Sequence, residues 1–70
     1  MPYRVIYWDT IQDFQDGKEP KWEDFETRNE LARRVAELEY SKAIVRPQYI
    51  DEEDFVTEIQ IKDLYMSMLI

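Results

Sequence analysis

The sequence predicts an α+β domain: a small antiparallel sheet of three to four strands with one helix packed on one face. Three observations predict it. Phe25 to Pro47 contains a capped amphipathic helical period, Tyr3–Trp8 and Ala43–Ile50 are dense in β-branched and aromatic residues, and Phe55 to Lys62 alternates with a period of two. No repeat, low-complexity tract or linker interrupts the chain, so one domain is expected over residues 1–70.

In Tyr3–Trp8, Tyr3, Val5 and Tyr7 point one way and Arg4, Ile6 and Trp8 the other. A single helix covers only one face of a sheet, so the second face needs a loop or a partner. Asp16 to Pro20 contains the only glycine and reads as a long turn, after which Lys21–Phe25 is expected to return antiparallel to the first strand. Thr27 and Glu30 have the spacing of a capping box, which starts a helix at Arg28. Leu31, Val35 and Leu38 form its apolar stripe, widened by Ala32 and Ala36. Asn29, Glu30, Arg33, Arg34 and Glu37 fill the opposite arc, where Glu30 with Arg34 and Arg33 with Glu37 stand at ion-pair spacing.

Ser41 and Lys42 connect to the strand Ala43–Ile50, in which Pro47 lacks a donor and implies an edge or a bend. The run Asp51–Asp54 must be solvated and suits a hairpin turn or the start of a new element. Beyond it, Phe55, Thr57, Ile59 and Ile61 alternate with Val56, Glu58, Gln60 and Lys62, and a half-buried strand is expected to about Lys62. The apolar tail from Leu64 to Ile70 either extends that strand or closes the core as a short helix.

Seventy residues carry a net charge of −7, with no cysteine and no histidine. Disulfides, thiolate metal sites, the usual neutral-pH base and the common nucleophilic dyads are therefore absent. One glycine supports neither a phosphate-binding loop nor a dinucleotide fingerprint. The expectation is a non-enzymatic protein with no cofactor. No stretch approaches a membrane span and no leader is visible, so a soluble, unprocessed cytoplasmic protein is expected.

Asp9 to Glu26 carries seven acids against two lysines and Asp51 to Asp63 six acids against one, whereas Thr27 to Tyr40 balances to zero. Such a chain is repelled by nucleic acid and by anionic membranes, and its expected partner is a protein with a basic surface. Acidic blocks interleaved with aromatics, DFQDGKEPKWEDFE and DEEDF, can imitate a row of phosphates. This makes Trp22, Glu23, Asp24, Asp51, Glu52, Glu53, Asp54 and Phe55 the candidate partner-binding residues. In size and charge, though in no motif, the chain resembles the small acidic inhibitors and DNA mimics of phages and mobile elements.

A second reading uses Arg33, Arg34, Lys42 and Arg46 to hold a nucleotide or another anionic small ligand between subunits. A two-fold homodimer is expected in either case. One helix cannot also cover Trp8, Tyr65, Met66, Met68, Leu69 and Ile70, which are the candidate interface.

Overall fold

A computed structural model describes residues 2–68. Its elements are β1 (Tyr3–Trp8), α1 (Ile11–Gln15), β2 (Lys21–Phe25), α2 (Arg28–Tyr40), β3 (Ile44–Ile50), β4 (Val56–Glu58) and α3 (Ile61–Met68). The four strands form one sheet in the order β2-β1-β3-β4, every neighbouring pair antiparallel. This is the α+β class expected, with three helices rather than one.

The strand densest in aromatic and β-branched residues takes an inner position. β2 and β3 are both antiparallel to β1, so they run parallel to each other with β1 between them, and α2 is the crossover that joins them. Crossing β1, α2 sets Leu31, Val35 and Leu38 over Val5 and Tyr7, and all five are buried. Fully burying an aliphatic chain of this size contributes ~1.5–3 kcal/mol, so this layer holds the domain together. Ala32 is buried with the stripe; Ala36, expected beside it, is exposed. The register pairs Tyr7 with Val45 and Trp8 with Ile44, so Val45 rather than Ile44 packs on the core under α2.

The expected strand from Phe55 to Lys62 is corrected. Only Val56–Glu58 is strand, Phe55 is exposed, and the chain turns into α3 at Ile61. In α3, Ile61, Leu64 and Tyr65 lie at i, i+3 and i+4, a helical stripe that meets α2; Leu64 is completely buried, and Ile61 and Tyr65 pack at its edge. The start of the tail, Leu64 and Tyr65, therefore folds back onto the core as helix.

Pro47 is neither on an edge strand nor at a break. Its carbonyl accepts from Ile59 N–H at 2.9 Å, on the side away from β1. A residue's N–H and C=O point to the same side of a strand, so the missing donor faces the β4 flank, where pairing with β4 begins only at Gln48. No bond to β1 is lost.

The stretch Ile11–Gln15, ahead of the expected turn, is a short helix. Thr10 Oγ1 accepts from Asp13 N–H at 3.1 Å, as Thr27 Oγ1 accepts from Glu30 N–H at 3.2 Å on α2. Both helices also end alike. After α1, Gly17 N–H bonds Phe14 O and Lys18 N–H bonds Asp13 O; after α2, Lys42 N–H bonds Glu39 O and Ala43 N–H bonds Leu38 O. These are Schellman closures, whose left-handed residue is Gly17 (φ 72°) in the first and Lys42 (φ 64°) in the second.

Candidate functional site

The register separates two faces of the sheet. Val5 and Tyr7 lie under α2, so Arg4, Ile6 and Trp8 point away from it, and the residues directly opposite them share that face. One row across the strands is Trp22–Ile6–Arg46, the next Asp24–Arg4–Gln48–Glu58, and Trp8 stands beside Ile44. α1 covers the Trp8 end: Phe14 meets the Trp8 ring edge-on at 4.9 Å, and Trp8 Nε1 donates to Lys18 O at 2.8 Å. Among the described residues the rest of the face carries no helix. Trp22 is 59% exposed and Val56 54% exposed there.

The charges on this face are satisfied within it. Arg4 Nε and Nη2 donate to Asp24 Oδ1 and Oδ2 at 2.7 and 3.1 Å, and the guanidinium lies 4.5 Å over the Trp22 ring. The hydrogen bond from Arg4, reinforced by its charge and opposed by burial, holds the Asp24 carboxyl below its ordinary range. Arg46 pairs with Glu58 on the same face. The outcome is a neutral, partly aromatic surface on a strongly acidic chain.

β2 forms one margin of this face, and its backbone is open on the outer side. The Pro47 carbonyl points away from β1, so Val5 and Pro47 exchange no bonds and Val5 bonds toward β2. Hence Lys21, Glu23 and Phe25 turn their backbone groups to β1, while Trp22 and Asp24 turn N–H and C=O outward.

The expected partner-binding residues fall in two places. Trp22, Glu23 and Asp24 lie on β2 at one edge of the sheet, and Asp51–Phe55 at the turn leading to the other edge. Glu23 faces α2, where it accepts from Arg34 and from Tyr7 Oη at 3.0 Å. Asp51 builds its own turn, Oδ1 accepting from Glu53 and Phe55 N–H at 2.8 and 2.9 Å, and Asp54 takes the left-handed position at φ 66°. Glu52 and Glu53 project their side chains from the tip, beside Phe55 at 69% exposure.

The basic residues do not share a cleft. Arg34 is on the helix side of the sheet and Arg46 on the other, Lys42 occupies the left-handed cap of α2, and Arg33 is exposed on the helix. Arg34 pairs with Glu23 and Glu37, whereas Glu30 accepts from Thr27 Oγ1, so the helix-surface link between Glu30 and Arg34 is replaced. Of the residues expected at an oligomer interface, Trp8 is under α1 and Tyr65 donates to Glu39 at the core margin. Met66 is exposed, Met68 ends α3, and Leu69 and Ile70 lie outside the described residues.

Arg4 and the outer edge of β2 were not among the candidates. The signal was present in the alternation of Tyr3–Trp8 against Lys21–Phe25, which places Arg4, Trp22 and Asp24 together once those strands pair. Among the described residues no cluster of acids is placed to hold a metal ion, and no helix is long and apolar enough to cross a membrane. Comparison with protein-family models, with curated proteins and with solved structures returns no match.

Proposed function

We propose that this chain is a small non-enzymatic interaction protein that regulates another protein by docking the uncovered face of its sheet on a partner with a basic margin. One observation carries the reading. Trp22 and Ile6 lie on the part of this face that α1 leaves uncovered, with Ile44 at its α1 end, and the face's own charges, Arg4 with Asp24 and Arg46 with Glu58, are already paired. Such a face gains from burial without stranding an ion, as the centre of an interface requires. The surrounding charge of −7 selects a basic rim and opposes a second copy of the chain. Nucleic-acid mimicry is a narrower form of the same reading. It draws less support, because Glu23 and Asp24 are engaged internally and Asp51–Asp54 stands apart from them.

The test compares capture of partner proteins by the wild type, by a Trp22→Ala, Ile44→Asp double variant and by an Arg33→Ala, Met66→Ala variant, each verified folded by circular dichroism. The expected result is a partner lost from the first variant, kept by the second and released by rising salt. A partner held equally by both variants overturns the reading. So does sedimentation equilibrium in which the wild type self-associates and the face variant does not, since the occupant is then a second copy.

A further inference from the structure

We infer that the outer edge of β2 is a strand-addition site for an extended basic segment of the partner, an inference that rests on the sheet face being the docking surface. Trp22 and Asp24 direct two N–H and two C=O groups away from β1, and among the described residues no further strand lies beyond β2. An exposed row of this kind templates another strand unless something guards it. Lys21, the charge that would act as a guard, is tied back to Asp9, and this bond together with the charge of Asp9 raises its pKa. The opposite edge is less suited, because β4 has only three residues.

The chemistry of the added strand follows from what lines the edge. Asp24 and Glu23 are paired with Arg4 and Arg34, and Lys21 with Asp9, so the negative charge left along this edge is that of Glu19 and Glu26 at its two ends. On the open face the Trp22 ring already holds the Arg4 guanidinium at 4.5 Å, and its 59% exposure leaves room for a second cation. An antiparallel segment bonded to Trp22 and Asp24 places alternate side chains beside those two residues. Lys or Arg at positions i and i+2 is therefore the expected pattern, with apolar residues between them on the α2 side, near Phe25.

The probe is an acetylated, amidated heptapeptide of alternating arginine and valine, added to the full chain. The expected result is that backbone amide resonances of Trp22 and Asp24 shift and their hydrogen exchange slows, while those of Glu52 and Glu53 do not move. Methylating the alternate peptide nitrogens that face β2 should weaken binding about tenfold or more, since each lost bond leaves a carbonyl unpaired. Methylating the intervening nitrogens should leave binding within about twofold. Equal binding by the two methylated peptides, shifts confined to Glu52 and Glu53, or no shift at about 1 mM peptide overturns strand addition. If the peptide fails while Trp22→Ala, Ile44→Asp still abolishes partner capture, the edge is excluded and docking by the face stands.

Discussion

Arg34 of α2 and Glu23 of β2 close on each other between helix and sheet, with Nε 3.1 Å from Oε1 and Nη2 3.1 Å from Oε2. Tyr7 Oη donates to the same carboxylate at 3.0 Å, so one glutamate ties the helix to two strands. About a third of each ion-paired side chain is exposed, which keeps the pair well short of a buried bridge. Glu23→Ala and Arg34→Ala should each cost ~1–2 kcal/mol, with a coupling of ~0.5–1 kcal/mol in a double-mutant cycle that shrinks in high salt. Urea melts of the four proteins measure this, and a coupling of zero would show the contact contributes nothing.

The two Schellman closures predict substitutions of opposite sign. At Lys42, left-handed backbone costs a side-chain-bearing residue ~1–2 kcal/mol, of which glycine returns ~0.4–1 kcal/mol as unfolded-chain entropy. Lys42→Gly should therefore stabilise by ~0.5–1 kcal/mol. At Gly17 an added Cβ would meet nothing within 4 Å, so Gly17→Ala pays only for its conformation and should destabilise by ~1 kcal/mol. Thermal melts should move by a few degrees in opposite directions.

Leu64 reports whether α3 belongs to the core. It is completely buried, whereas Met66, two residues on, is 63% exposed. Leu64→Ala should cost ~2–5 kcal/mol and Met66→Ala less than ~0.5 kcal/mol in chemical denaturation. Equal, small effects would detach the helix from the domain.

Tyr65 predicts a high-pH transition. Burial, and then its hydrogen bond to Glu39 and that carboxylate's charge, push the phenol from an ordinary value near 10 up to about 12. The folded chain holds this proton more tightly than the unfolded one, so the stabilisation is complete below pH 10 and declines as pH rises through 12. Absorbance at 295 nm should show one late-titrating tyrosine that Tyr65→Phe removes. A variant with an unchanged late step would assign it elsewhere.

Local chemistry determined the parts of this fold that depend on neighbours in sequence. Thr27 and Glu30 mark the start of α2 and Leu31, Val35 and Leu38 mark its inner face, because a cap and a helical stripe are complete within a few turns. The alternation of Tyr3–Trp8 likewise assigns Arg4, Ile6 and Trp8 to one face without reference to any other strand. The cap at Thr10 was equally legible, but five residues are too few for periodicity to reveal a helix.

Tertiary structure decided what local chemistry left degenerate. From Phe55 to Leu64 a period of two and a period of 3.6 overlap, sharing Ile61, and the helix prevails at Ile61 because α2 offers Leu64 a buried site that an extended chain would not reach. Arg34 stands at helical spacing from Glu30 yet bonds Glu23, eleven residues away, since the strand brings that carboxylate beneath the helix. The candidate surface follows the same division. Which side chains share a face was written in the alternation of each strand, but that Trp22, Arg4 and Asp24 meet, and that the backbone of β2 is left open, depends on strand order, which only the assembled sheet sets.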